Sequence, residues 1–288
     1  MICPPFDQVN NDPTNYGHLV DGNGDWVVRD DAWVWSIANG AEKKGNLTTG
    51  FGSSNTKIGP EFGFGSQVAD HYDEQVLLIK AAWGGKSLGK DFRSPTAVTK
   101  RGGTVGFYYN EILNVYNNVI DNIATEFPDY NGQGVELVGF GWHQGYNDRG
   151  NNTHAADYEA NLVDFIADMR NDLGVSDLPF VIAETGNGGV NETGANALAI
   201  MAAQEAVANP DLYPEHEGNV AFVETQGFWR DSSVSPLTSY PHWNDNGESY
   251  YLMGAGMGEA MVQLVPEPSS ALLFVTAGLL LARRRRVA

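Results

Sequence analysis

Gly139-Phe-Gly-Trp-His-Gln-Gly-Tyr-Asn-Asp148 is the stretch that decides how this chain is read. It continues the apolar run Val135-Glu-Leu-Val-Gly-Phe140, which is bounded by Gly-rich turns, so a buried strand is expected over Val135–Trp142. At its end the composition changes abruptly to Trp142, His143, Gln144, Asn147 and Asp148. An open α/β sheet binds its ligands beyond the carboxyl ends of its strands, and a strand running out into clustered polar and aromatic residues fits such an edge.

On either side the chain alternates strand and helix patterns. Gln75–Trp83 reads as a strand that ends in Gly84-Gly85-Lys86-Ser87. Tyr109–Phe127 has apolar residues at helical spacing, as does Asp157–Leu173, which Gly174 closes. Pro179–Glu184 and Asn219–Glu224 read as strands, and Ala195–Ala208 and Glu248–Leu264 as helices. Such alternation implies a mostly parallel sheet with helices on both faces. Residues 1–65 show turn signals and little periodicity, with one short strand expected at Trp26–Arg29. There Asp21, Asn23 and Asp25 match the opening of a calcium loop. Trp26 and Ala32 stand where its Gly and bidentate Glu belong, so an Asx-rich turn is expected instead.

The charge balance narrows the partners. The 288 residues carry 36 acids against 17 bases; without Glu267 and the four arginines of the tail, 35 acids face 13 bases, a net −22. That excludes nucleic acid and anionic membrane surfaces as partners and suits a neutral substrate. The single Cys3 excludes an intramolecular disulfide framework and a Cys-based zinc site. No His/Asp pair has metal-ligand spacing, and a P-loop is rejected because Lys80 stands where its first Gly belongs.

Chemistry is expected on three loops: Gly84–Ser87, Trp142–Asp148 and Tyr240-Pro-His-Trp-Asn-Asp245. A Gly-Gly turn after a strand can aim backbone N–H groups at an oxyanion, a Gln amide can add a donor, and a late His before the final helix is a natural general base. These are the parts of acyl transfer without its nucleophile.

Trp83-Gly-Gly-Lys-Ser-Leu88, Asp91-Phe-Arg93, Trp142-His-Gln-Gly145, Tyr158-Glu-Ala-Asn-Leu162, Phe180-Val-Ile-Ala-Glu-Thr-Gly186, Ala202-Ala-Gln204 and the His242 segment follow one another in the order of a known family. Together they resemble the sialate O-acetylesterase/acetylxylan esterase group, carbohydrate esterase family 6, of the SGNH hydrolases. The resemblance covers roughly residues 20 to 264 and implies a flavodoxin-like three-layer α/β/α fold that hydrolyses acetyl esters on sugars without metal or organic cofactor. It places oxyanion donors on Gly84-Gly85 and at Gln144, and the triad base at His242. Trp142, His143, Arg93 and Trp243 become candidate substrate contacts, although packing is an equal reading for the tryptophans.

Three departures accompany it. The family's first strand ends in Gly-Gln-Ser-Asn, whose Ser is the nucleophile, and this sequence has no such run. Ser239 stands where an acid often precedes the His, and Tyr146 where relatives have Glu. Asp148 is therefore the candidate orienting acid, with Asp245 and Glu248 behind it. The first strand would lie between the Gln75–Trp83 and Val135–Trp142 strands, leaving both with unpaired edges in its absence. Met1-Ile-Cys-Pro-Pro-Phe also lacks the features of an export signal. The expectation is an upstream start that supplies both signal peptide and nucleophile. A non-catalytic glycan-binding or surface-matrix protein on the same fold is the competing expectation.

The tail forms a unit of its own, 265–288 against a domain at 1–264. Val265-Pro-Glu-Pro268, an apolar block from Ala271 to Ala282 and Arg283–Arg286 resemble the PEP-CTERM sorting signals of Gram-negative exopolysaccharide producers. The resemblance implies an exported protein, transiently anchored through a transmembrane segment and handed to an exosortase-type protease. His18, His71, His154 and His216 are expected at the surface.

Overall fold

Ten residues, Arg29–Ala38, form the first strand, β1, where only a short strand at Trp26–Arg29 is expected from sequence. Trp26 itself makes an isolated bridge with Val20. The structure, a computed structural model, describes residues 12–38 and 40–265. β1 pairs antiparallel with β2 (Ala41–Leu47) through a bulge between Arg29 and Trp33. Its two faces are both apolar: Ala32 and Val34 join Leu47 and Phe62, while Trp33 and Trp35 pack on Val115, Val119 and Phe127. Trp33 stacks on Phe127 with ring centroids 4.9 Å apart. A strand buried on both faces shows no hydrophobic alternation, which is why sequence periodicity misses it.

Helix α1 (Pro60–His71) follows, with Pro60 in its first turn, where the missing N–H has no consequence. The chain then enters β3 (Val76–Ala82), parallel to β1. Helices α2 (Pro95–Arg101) and α3 (Phe107–Asp121) precede β4 (Phe140–Trp142), and then come α4 (Tyr158–Leu173), β5 (Phe180–Ala183), α5 (Ala195–Val207), β6 (Val220–Val223) and α6 (Gly247–Leu264). In α4 the i, i+3/i+4 stripe Tyr158, Leu162, Phe165, Ile166 and Met169 is fully buried, and Gly174 ends the helix in the left-handed region at φ 75°. Removing one such side chain, as in Leu162→Ala, costs about 2–5 kcal/mol.

The described strands form two three-stranded sheets, β2-β1-β3 and β4-β5-β6, the second wholly parallel. Alternate residues of β5 point to opposite layers: Phe180 and Ile182 enter the core under α4 and α5, whereas Val181 and Ala183 meet α6. Helices thus cover both faces of a mixed α/β architecture. β3 and β4 each carry one open edge among the described residues, and all seven residues of β3 are half-buried although the run is apolar. Both strands have α1 as a neighbour. A Cβ on Gly65 would meet Leu78, and one on Gly141 would lie 4.0 Å from Phe64. The expected strand Val135–Trp142 is correspondingly shortened to Phe140–Trp142, with residues 135–139 outside any ladder. Its one partner, β5, begins opposite Phe140 just after Pro179, which has no N–H to offer.

The helices α1 and α6 touch along glycines. A Cβ on Gly63 would lie 2.3 Å from the Tyr251 carbonyl oxygen, and one on Gly254 would lie 1.9 Å from that of Pro60. Backbone-to-backbone packing of this closeness admits no side chain. Near the start of the described chain, Asp21 accepts the N–H groups of Asn23 (2.8 Å) and Asp25 (3.0 Å), an Asx turn. No helix among the described residues is long and apolar enough to cross a membrane. The tail expected to act as a sorting signal and to hold a transmembrane segment, from Pro266 onward, and Cys3 lie outside the described residues.

Candidate active site

The loops after β3 and β4 are bonded to each other through Gln144 and Asp148. Asp148 is fully buried and accepts the backbone N–H groups of Leu88 (2.9 Å) and Gly89 (2.8 Å) and the Gln144 side-chain amide (2.7 Å). His154 Nδ1 stands 3.8 Å from its other oxygen. Burial raises the Asp148 pKa, and these hydrogen bonds with the nearby His154 pull it part of the way back. Gln144 also donates to the Lys86 carbonyl (3.0 Å), so the turn Gly84–Lys86 hangs from it. Tyr158 donates to the Gln144 carbonyl (2.7 Å) and Gln204 donates to the same oxygen (2.7 Å). Gly84 and Gly85 are left at the surface, with Gly85 at φ 68°. A left-handed Gly here lets the turn present backbone to an incoming carbonyl without a side chain in the way.

Two expected roles change on this geometry. Both N–H groups of the Gln144 amide are engaged, one by Lys86 and one by Asp148, so in this arrangement Gln144 holds the turn and has no donor left for an oxyanion. The Asp148 carboxylate is occupied by the Leu88–Gly89 turn and Gln144, and no hydrogen bond joins it to His242 among the described residues. It ties two loops together.

Of the expected substrate contacts, three are interior. Trp142 packs edge-on to Phe92 and 4.5 Å from the Phe165 ring; Trp243 is 2% exposed. Arg93 donates to the carbonyls of Gly102 (2.8 Å), Gly89 (2.9 Å) and Ala97 (3.4 Å), bracing the loop after β3. Large apolar rings at a strand end are drawn into the core, and a guanidinium satisfied by three carbonyls is structural. His143 is half-buried, and desolvation lowers its pKa to about 4, so the ring is neutral. Histidines expected at the surface are partly inside: His216 is buried, 2.6 Å from the Val207 carbonyl through Nδ1, and His154 lies against Gly89.

His242 is exposed, and its ring has no hydrogen-bond or ion-pair partner among the described residues. The backbone after it is strained. Trp243, Asn244 and Asp245 sit consecutively at φ 51°, 54° and 55°, each a left-handed conformation that costs an L-residue of order 1 kcal/mol or more. Such a run persists only when neighbours hold it. Asn244 donates to the Arg230 carbonyl (3.0 Å) and accepts from the Ser239 N–H (3.0 Å), while Lys57 binds Asp245 at 2.5 Å. Ahead of it, Tyr240 is fixed to the loops after β4 and β5, where Arg149 and Glu192 meet it. The sequence carries no sign of Lys57, Arg149 or Glu192 and marks Tyr240 only as the first residue of the His242 loop. Their pairings span long sequence separations, and no local spacing signals them.

The matches to known proteins agree with this architecture. Residues 21–262 match the family model described as carbohydrate esterase, sialic acid-specific acetylesterase. No curated protein matches the sequence significantly. Among solved structures, the chain is similar to an Arabidopsis thaliana protein at 16% identity over 82% of each chain, with a TM-score of 0.55. It is also similar to a carbohydrate acetylesterase from Xanthomonas citri at 12% identity, over 83% of this chain and 50% of that one, with a TM-score of 0.50. At these identities the likeness to the two structures is one of fold. A family match over most of the length, on an α/β frame whose strand-end loops are bonded into one edge, shows that the chain belongs to the sialic acid-specific acetylesterase family of carbohydrate esterases.

Proposed function

We propose that the protein is a carbohydrate O-acetylesterase of the serine type, acting at the edge formed by Gly84–Lys86, Gln144 and the His242 segment. The observation that carries the reading is the exposed Gly84-Gly85 turn at the end of β3, held by Gln144 through the Lys86 carbonyl. In this reading a Ser attacks the acetyl carbonyl, His242 takes its proton and returns it to the leaving sugar hydroxyl, and the Gly85 N–H faces the developing oxyanion. Water then repeats the sequence on the acyl-enzyme, releasing acetate. Gln144 and Asp148 act by holding the turn. In this reading the serine stands on a Gly-Gln-Ser-Asn strand that pairs between β3 and β4, a reading supported by the open edge that each carries among the described residues. No cofactor enters these steps. In the same reading residues 1–264 form the esterase domain, and residues 265–288 a PEP-CTERM sorting signal that anchors the exported protein transiently in the inner membrane of a Gram-negative-type bacterium and is acted on by an exosortase-type protease.

The test is hydrolysis of p-nitrophenyl acetate and acetylated xylan by the upstream-extended protein and its His242→Ala variant. A loss of kcat/KM of at least about 100-fold is expected for a general base; a loss under tenfold sinks the assignment. A second reading, a non-catalytic glycan binder on the same fold, is favoured by the absence of a carboxylate partner for His242 among the described residues. Glycan binding without turnover by the extended protein would select it.

A further inference from the structure

Around Tyr240 the structure holds a cluster that the mechanism above does not use. The Arg149 guanidinium lies over two rings at once, 4.7 Å from the Tyr146 centroid and 5.2 Å from that of Tyr240. Its Nη1 is 3.3 Å from Glu192 Oε2, and the Tyr240 hydroxyl bonds the same carboxylate oxygen. That hydroxyl also lies 2.7 Å from the Asn187 carbonyl, while Asn187 Nδ2 donates to the Tyr240 carbonyl at 3.0 Å. Burial opposes the charge on Glu192, but Tyr240, the Gly194 N–H and Arg149 together hold its pKa below the usual carboxylate range. The carboxylate is thus ionised at neutral pH and anchors the cluster as a charge-assisted acceptor.

Three loops meet here, those after β4 (Tyr146, Arg149) and β5 (Asn187, Glu192) and the segment before α6 (Tyr240). Tyr240 is two residues from His242, and the strained run begins at Trp243. A strained segment relaxes unless fixed at both ends. Beyond His242, Asp245 is held by Lys57. We infer that Tyr240, held by Glu192 and Arg149, is a positioning device that fixes the His242 segment against the other two loops. The inference rests on the proposed role of His242 for its catalytic consequence, and on geometry alone for its mechanical one.

The experiment therefore has two arms, both on the full-length protein. Tyr240→Phe keeps the ring over Arg149 and removes only the hydroxyl; Glu192→Gln keeps the shape and removes the charge. Amide exchange is followed at His242 and Asn244, whose N–H groups bond the Ser239 carbonyl at 2.9 and 3.0 Å. Exchange at these amides about tenfold faster in both variants is expected, with the double variant no worse than either single and the melting temperature nearly unchanged. In the kinetic arm kcat falls about tenfold in both variants while KM stays within about twofold, the mark of misplacement and not of lost substrate contact. Unchanged exchange at His242 and Asn244 overturns the inference, as does a KM increase with kcat intact. Should His242→Ala retain full activity, or the parent protein have none, the catalytic reading falls and the exchange arm alone decides the clamp.

Discussion

Gln144 Nε2 and Asp148 Oδ2 are 2.7 Å apart, a bond within the loop after β4 whose carboxylate also accepts the Leu88 and Gly89 N–H groups of the loop after β3. A neutral amide donating to a buried carboxylate is satisfied without a cation. An added charge would not be. Gln144→Glu puts a second carboxylate in that position, where both cannot ionise. It is expected to lower unfolding free energy at pH 7 by about 2–4 kcal/mol, with part of the loss recovered at pH 5. Urea unfolding at the two pH values measures it, and equal losses at both would refute it.

Asp148 itself sets a pH dependence whose sign is opposite to that of a salt-bridged acid. Its folded pKa is raised above the ordinary 3.8, chiefly by burial. Between 3.8 and the folded value the native state holds a proton that the unfolded state has released. Unfolding free energy therefore falls as pH climbs through that window and levels off above it. Asp148→Asn removes the slope, so wild type should hold its largest advantage over the variant below about pH 4. An advantage that grows from pH 4 to pH 7 contradicts this.

His143 works in the other direction. Desolvation depresses its folded pKa from 6.5 to about 4, so between these values the unfolded chain takes up a proton that the native state refuses. Its contribution to stability is complete above about pH 6.5 and is lost as pH falls towards 4. A His143→Phe variant should unfold with a flatter pH dependence across that interval. Chemical denaturation in half-unit pH steps, compared with wild type, would show an unaltered slope if the ring were solvated.

Gly254→Ala addresses the frame and leaves the site chemistry alone. The added methyl group would sit 1.9 Å from the Pro60 carbonyl oxygen, which is backbone and cannot swing aside. α1 and α6 must separate, at a cost of about 3 kcal/mol or more despite the higher helix propensity of Ala. Thermal melting reads this directly; a stability equal to wild type would mean that the helices pack farther apart than described.

The elements legible in the sequence are those whose environment is simple. α4 was readable because Tyr158, Leu162, Phe165, Ile166 and Met169 face one core and Gly174 stops the helix. α1 was hidden because Gly59-Pro60 also signals a turn and because Gly63 and Gly65 serve close packing, which weakens the helical signal. β4 was read too long because an apolar run predicts a strand but not whether a partner exists to pair with it. The site divides in the same way. Gln144 and the Gly84-Gly85 turn stand out as local motifs at strand ends, whereas the Lys86 carbonyl that Gln144 holds and the Gln204 amide on its own carbonyl lie 58 and 60 residues away. Nothing in the spacing of Trp142, Arg93 or Trp243 tells a cleft wall from a core, since an aromatic ring or a carbonyl-satisfied guanidinium serves either.

The glycine contact between α1 and α6 also sets an order of events during synthesis. α1 is complete at His71, whereas its partner begins only at Gly247 and ends at Leu264. At about 5–20 residues per second, a ribosome takes on the order of ten to forty seconds to deliver the second helix after the first. Through that interval the groove of Gly63 and its neighbours has no covering backbone, and contacts this distant in sequence are slow to form even afterwards. Until α6 arrives that groove is open to other partners, so this interval is the one in which mispacking can begin.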